Sequence, residues 1–136
     1  QNSMNKKNTT YLLEKYPDLY KQYYLPMTET CMCWGFDCND GWFKLIDELS
    51  KKIVKLDKTV QAAQVKEKYG GLRFYIDVGE TQVHNLIDKY EAKSYKICEE
   101  CGETGKLNEI GNWYYTSCIK HKRLNSKNET LPHPKG

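Results

Sequence analysis

The fold of this 136-residue chain is decided most clearly by two short stretches, CEEC at residues 98–101 and CIKH at residues 118–121. In each stretch, two residues separate two potential metal ligands, a spacing that lets one tight turn point both side chains at the same ion. Two such turns together supply the four tetrahedral ligands of a structural zinc site. The sequence therefore predicts one structural Zn²⁺, held by Cys98, Cys101, Cys118 and His121. The alternative is two disulfides, or four unrelated residues.

The sixteen residues between the two stretches fit a β-hairpin. Residues 106–110 and 113–117 can pair as strands around Gly111-Asn112, a two-residue loop of the kind that tight hairpins favour. Gly102 directly follows the first ligand pair, where the turn needs a residue that accepts a positive φ. We therefore predict a Cys3His zinc ribbon over residues 96–123, with four protein ligands and no open position for catalysis.

Composition favours a small cytoplasmic protein over a membrane or secreted one. No apolar run approaches the ~18 residues of a membrane span, and no signal peptide follows Met4. The six cysteines then favour metal binding over disulfides, because the cytosol keeps thiols reduced. Residues 1–3 read as a cleavage scar. The net charge of +3 is too small to prove a nucleic-acid partner, although its excess lies in residues 120–136.

Helical patterns occur on both sides of the chain's centre. The clearest covers residues 42–56, where apolar residues recur at three- and four-residue steps and share one face. Another helix is predicted over residues 81–93. Near the N-terminus, Thr9 or Thr10 can cap a short helix, and a proline can open a further one over residues 17–24.

A β-hairpin is predicted between the two longer helices. Residues 72–78 alternate strictly between apolar and polar side chains, residues 60–68 form the partner strand, and Gly70-Gly71 forms the loop. We expect the helix over residues 42–56 to lie on the apolar face of this hairpin. The predicted core is Trp42, Leu45, Ile46, Leu49, Leu72, Phe74 and Ile76.

The order of these elements predicts an α+β protein, with helices packed on a β-hairpin sheet and a C-terminal zinc ribbon. The predicted organisation is N-terminal helices at residues 4–27, an α+β core domain at 28–95, the ribbon at 96–123 and a flexible tail at 124–136. Within the core domain, residues 28–41 read as an irregular loop.

Three stretches together resemble a known group of proteins: TCMCWGF at residues 30–36 leading into Gly41-Trp42, QVKEKYGGLRFY at residues 64–75, and the ligand pairs within residues 98–121. They are similar to small, uncharacterised proteins encoded by bacteriophages and prophage regions, over residues 28–123. The resemblance implies a phage accessory role, such as acting on host machinery or host defence, in the cytoplasm of the host cell. It implies no catalytic residues.

The central hairpin is the first candidate for a binding surface. Three cations lie near a Gly-Gly turn, whose backbone N–H groups could hold a phosphate or a nucleotide-like ligand. Tyr75 and Tyr69 offer rings on which bases could stack. The candidate ligand-binding residues are Lys66, Lys68, Gly70, Gly71, Arg73 and Tyr75. The plainer alternative is a solvated sheet face that ends in a glycine turn.

Two further interpretations concern the loop at residues 28–41. Cys31, Cys33 and Cys38, joined by His84 or a carboxylate, could bind a second metal and form a metal-dependent enzyme, but their spacing matches no common site. Trp34 and Phe36 could instead contact a host protein, which would make the chain an inhibitor or adaptor. We expect a binding protein rather than an enzyme, with nucleic acid or a nucleotide-like ligand as the favoured partner. The oligomeric state is left open.

Overall fold

A computed structural model describes residues 3–123 and shows a mixed α+β fold. The α-helices that it describes are Lys6–Lys15 (α1), Phe43–Leu56 (α2) and Thr81–Ser94 (α3). The strands are Phe36–Asp37 (β1), Ala62–Lys68 (β2), Gly71–Ile76 (β3), Lys106–Ile110 (β4) and Trp113–Ser117 (β5). β1, β2 and β3 form one sheet in that order, and β4 pairs with β5 in a separate hairpin. The α+β class is confirmed, and the predicted tail at residues 124–136 lies outside the described residues.

The N-terminal helix begins earlier than predicted. Asn5, rather than Thr9 or Thr10, caps α1, since its side chain accepts a hydrogen bond from the backbone N–H of Asn8 at 2.7 Å. Asp40 accepts two more bonds, from the Asn5 backbone N–H at 2.9 Å and from the Asn8 side-chain amide at 3.0 Å. The start of α1 is therefore fixed by a residue far along the chain.

The α-helix predicted over residues 17–24 is wrong. This segment forms turns followed by one 3-10 turn at Lys21–Tyr24. Leu19 and Tyr20 are buried, and the Leu19 carbonyl accepts a hydrogen bond from the Ala62 backbone N–H at 2.8 Å. Because that carbonyl bonds to the sheet, it does not take part in a continuing helix.

The three-stranded sheet contains one strand that was not predicted. β1 lies in the supposed irregular loop and pairs in parallel with β2, Phe36 opposite Val65. β2 and β3 are antiparallel, as predicted, with Lys68 opposite Gly71. The turn is therefore Tyr69-Gly70 and not Gly70-Gly71. Both turn residues have positive φ, 55° and 87°, which is the pattern of a type I′ hairpin turn.

Side chains of α3 cover the outer edge of β3. The backbone N–H of Leu72 donates to Ser94 Oγ, and that of Phe74 donates to Glu91 Oε2, both at 2.8 Å. Burial raises the pKa of Glu91. Two backbone N–H groups that a neighbouring strand could bind are thus satisfied by α3.

A single hydrophobic cluster runs from Met4 to Tyr90. Six of the seven predicted core residues are buried in it, and Ile76, the last residue of β3, is partly buried against it. Residues of α1, which were assigned to a separate N-terminal region, belong to the same cluster as those of α2 and the sheet. The N-terminal helix and the α+β segment therefore share one core.

Candidate functional site

The four predicted metal ligands lie together. The Sγ atoms of Cys98, Cys101 and Cys118 and a ring nitrogen of His121 are all within 4.8 Å of one another. Cys101 Sγ is 3.6 Å from Cys118 Sγ, and His121 Nδ1 is 3.6 Å from Cys98 Sγ and 3.2 Å from Cys118 Sγ. Metal–sulfur bonds of about 2.3 Å place tetrahedral neighbours about 3.8 Å apart, whereas a disulfide requires about 2.0 Å. The group can hold a metal ion and is not a pair of disulfides.

The turns that carry these ligands have the local features that metal binding needs. Gly102 has the predicted positive φ, 84°, and donates its N–H to the Cys98 carbonyl at 2.9 Å. The His121 backbone N–H donates to the Cys118 carbonyl at 3.2 Å. Burial would raise the pKa of Cys118, but hydrogen bonds from His121 and then Cys101 outweigh it and lower that pKa to about 6. A thiolate is the form that binds metal.

The first ligand turn is packed directly onto the core. Gly41 donates its N–H to the Glu99 carbonyl at 2.7 Å, and Trp42 Nε1 donates to the Ile97 carbonyl at 2.9 Å. A Cβ atom at Gly41 would lie 2.1 Å from the carbonyl oxygen of Cys98. Only a glycine fits at position 41. The four potential ligands Cys98, Cys101, Cys118 and His121, called the metal group below, and the start of α2 therefore form one packed unit.

The tip of the β2–β3 hairpin packs against the C-terminal hairpin. This contact removes the phosphate site that was predicted at the backbone N–H groups of Gly70 and Gly71. The Gly70 carbonyl accepts a hydrogen bond from Thr116 Oγ1 at 2.6 Å, and its N–H donates to Glu67 Oε2 at 2.8 Å. Gly71 is buried beneath Tyr95, whose Cζ would be 2.3 Å from an added Cβ. Gly70 and Gly71 therefore do not offer free N–H groups to a phosphate, and any binding here depends on side chains.

The cations of the hairpin do share one face of the sheet. Lys66 and Arg73 are directly opposite each other, and Asp37 is the neighbour of Lys66 on β1. Lys68 is exposed, and Tyr75 is 43% exposed. Within β1, β2 and β3, this outward face carries three cations and one carboxylate, so it has an excess of positive charge beside an accessible ring.

Tyr69 stands out at the turn. It has a positive φ although it is not glycine, a conformation that costs roughly 1–2 kcal/mol. Its ring is 65% exposed, and the Lys68 ammonium lies 5.4 Å from the ring centroid. Asparagine or glycine would adopt this turn more easily. Tyr69 is therefore an aromatic residue at a strained and exposed position of the hairpin tip.

The two aromatic residues predicted to contact a protein are in different environments. Phe36 is only 2% exposed and packs edge-on against Tyr20 with ring centroids 4.9 Å apart, so it belongs to the core and not to a surface. Trp34 is 66% exposed. Sequence reasoning missed three other exposed apolar side chains, which were hidden in the wrongly predicted helix and the stretch after it: Tyr24, Leu25 and Met27.

The three remaining cysteines do not form a second metal site. Cys38 is fully buried, whereas Cys31 is exposed, and Cys33 Sγ donates to the Thr30 carbonyl at 3.4 Å. Burial raises the pKa of Cys38 well above its usual value, which disfavours the thiolate form that binds metal. Within residues 3–123, the C-terminal group is the only set of three or more Cys, His, Asp or Glu placed to hold a metal. The structure therefore does not bring Cys31, Cys33 and Cys38 together with His84 or a carboxylate as ligands of a second metal.

Comparison of the chain with protein-family models, with curated proteins and with solved structures finds no match. No relative therefore contributes a substrate or a partner to the interpretation. Across residues 3–123, none of the helices has both the length and the apolar character needed to cross a bilayer.

Proposed function

We propose that this protein is a zinc-stabilised accessory protein that binds single-stranded nucleic acid on the outward face of the β1–β3 sheet. The observation that carries the proposal is the cross-strand pair of Lys66 and Arg73 with the accessible ring of Tyr75 on the same face. Single-stranded nucleic acid is bound through cations that follow its backbone and through aromatic rings that stack on its bases. The exposed ring of Tyr69 and the ammonium of Lys68 extend the same chemistry to the hairpin tip.

We infer that the metal is Zn²⁺. Three thiolates and one imidazole in a tetrahedral arrangement are ligands that Zn²⁺ takes in structural sites. Four protein ligands leave no position for a water molecule, so the ion would hold the β4–β5 hairpin together as a zinc ribbon and would not catalyse a reaction. A reducing cytoplasm suits these thiols, and the resemblance to phage-encoded proteins suggests the cytoplasm of a bacterial host.

The decisive experiment is a binding titration at two salt concentrations. The probes are a (dT)12 oligonucleotide, its RNA counterpart (rU)12 and a panel of free nucleotides. Wild type is compared with a triple variant, Lys66→Gln/Lys68→Gln/Arg73→Gln, whose folding is checked by circular dichroism. A matched control neutralises three exposed lysines of α2, Lys44, Lys51 and Lys55.

Loss of three phosphate contacts should flatten the slope of log K against log salt by about 2, since each contact with a single strand contributes about 0.7. The α2 control should bind like wild type. The proposal fails if wild type binds neither oligonucleotide, or if the triple variant binds as wild type does. Binding of a free nucleotide alone would replace the nucleic-acid ligand by a small one at the same face.

A protein partner is the second candidate, because four large apolar side chains are exposed on neighbouring turns: Tyr24, Leu25, Met27 and Trp34. Where exposed apolar side chains on adjoining turns form one patch, that patch is typical of protein interaction sites. In this role the chain would be an inhibitor or adaptor of a host protein. A partner captured from a bacterial lysate should then be lost with Trp34→Ser and kept with the sheet-face triple variant. Retention of the partner by Trp34→Ser would exclude this surface.

A further inference from the structure

A cleft of about 290 Å³ lies on the C-terminal hairpin, beside the metal group. It is lined by residues of β4 and the segment before it, by the last residue of β5 and by the turn after β5. Its main lining side chains are Thr104, Lys106, Asn108, Ser117, Ile119 and Lys122. Neither the sheet face nor the metal group accounts for this combination of two cations, hydroxyl groups and one apolar residue.

The polar groups of the cleft are suited to an anion. Its described lining includes two lysines and neither Asp nor Glu, and Cys118, one of the four metal ligands, also lines it. Asn108 is held in place by donating to the Lys106 carbonyl at 2.9 Å and to Ser117 Oγ at 3.1 Å. Ser117 is buried, and its Oγ accepts the second of these bonds. Two lysines, a buried hydroxyl group and a positioned amide thus line one small space.

The mouth of the cleft adds an apolar contact. Ile119 is 88% exposed, at the first position of the 3-10 turn Ile119–His121. The turn itself is fixed, since His121 at its other end belongs to the metal group. An exposed aliphatic side chain on a fixed turn can pack against a nucleobase, as apolar side chains do in nucleic-acid complexes.

We propose that this cleft binds a phosphate of single-stranded nucleic acid, with Lys106 and Lys122 on the phosphate and Ile119 against an adjoining base. The inference rests on the proposed function and adds a second contact site for the same ligand. Gly70 packs against Leu107 and Tyr115, so the cleft-bearing hairpin adjoins the hairpin that carries the sheet-face cations. Nucleic acid would therefore contact the protein on both hairpins.

The lysines have one competing role. Three thiolates, a neutral imidazole and a divalent ion sum to a charge of −1, which nearby ammonium groups could neutralise. In that case, removing the lysines would weaken metal retention and leave the affinity for nucleic acid unchanged. Metal content must therefore be measured on the same samples.

The test uses the full zinc-loaded chain and a labelled (dT)12 oligonucleotide at 50, 100 and 200 mM salt. The variants are Lys106→Gln/Lys122→Gln, Ile119→Ala, the sheet-face pair Lys66→Gln/Arg73→Gln and the α2 control Lys51→Gln/Lys55→Gln. We expect the cleft double variant to flatten the salt slope by about 1.4, so that the advantage of wild type shrinks about sevenfold between 50 and 200 mM. Ile119→Ala should weaken binding at every salt concentration without changing the slope.

The outcomes separate the two proposals. A cleft variant that keeps the wild-type affinity and slope, while the sheet-face variant loses both, overturns the cleft and leaves the proposed function standing. A sheet-face variant that binds normally, while the cleft variant does not, removes the sheet face and supports the cleft. Loss of zinc from the cleft variant with unchanged affinity assigns the lysines to the metal group. Absence of binding by wild type refutes both proposals.

Discussion

Replacement of Gly41 by alanine should separate the metal group from the core. The added Cβ would lie 2.1 Å from the Cys98 carbonyl oxygen and 2.4 Å from the Glu99 carbonyl carbon and oxygen, so backbone must move. Gly41 does not have a positive φ, so the effect is steric.

The expected cost follows from the contacts that cross this junction. Three hydrogen bonds join residues 39–42 to residues 97–99: Gly41 N–H to the Glu99 carbonyl, Asn39 N–H to Glu99 Oε2, and Trp42 Nε1–H to the Ile97 carbonyl. At about 1 kcal/mol each, their loss amounts to about 3 kcal/mol. That is a large part of the 5–15 kcal/mol by which such a domain is stable, and it lowers the melting temperature by roughly 10 °C.

Urea denaturation followed by far-UV circular dichroism measures this change, with zinc content determined on the native samples. Gly111→Ala is the control, since a Cβ there meets no atom within 4 Å, although its φ of 61° brings a conformational cost of about 1 kcal/mol. A Gly41→Ala protein that is no less stable than Gly111→Ala would refute the packing described here.

Four other changes test separate parts of the structure. Cys101→Ser should release the metal and loosen the β4–β5 hairpin, whereas Cys31→Ser should retain the full metal content; equal retention would contradict the ligand set. Phe74→Ala should cost about 3–5 kcal/mol as a large core truncation, and Arg73→Ala on the outward face should cost well under that, both measured by urea denaturation. Tyr69→Asn should stabilise the protein by about 0.5–1 kcal/mol, because asparagine tolerates the left-handed turn conformation, while weakening (dT)12 binding. Tyr16 donates a hydrogen bond to Asp47, and burial and then this bond raise the pKa of Tyr16 to about 12. Because the unfolded chain loses this proton at a lower pH than the folded protein does, the free energy of unfolding should fall from pH 10 to pH 12. Tyr16→Phe should lose part of that pH dependence.

The features that could be predicted from the sequence are those encoded by local spacing. Two pairs of ligands, each separated by two residues, were sufficient to identify all four members of the metal group, because each pair needs only one tight turn. Strict alternation over β3 identified its buried face, because side chains two residues apart on a strand, such as Leu72 and Phe74, lie on the same side. This too is a matter of local spacing.

The features that were missed depend on residues distant in sequence. β1 contains only two residues and exists because Phe36 pairs with Val65. The hairpin turn lies one residue earlier than expected. Gly71 packs beneath the Tyr95 ring, where a larger residue would clash, and the Gly70 N–H donates to the Glu67 carboxylate. Local propensity cannot reveal such constraints, because they arise from packing between segments. The N-cap at Asn5 was in principle detectable, since asparagine ranks among the best residues for that position.

The way in which α3 covers β3 has a consequence for self-association. An uncovered strand edge is a template on which a second molecule can pair, and this is a common start of aggregation. Here the backbone N–H groups of Leu72 and Phe74 donate hydrogen bonds to Ser94 and Glu91. The opposite edge of the sheet is β1, which has only two residues. Native molecules should therefore resist edge-to-edge association, and a change that releases α3, such as Glu91→Ala combined with Ser94→Ala, should make the protein aggregate in a concentration-dependent manner.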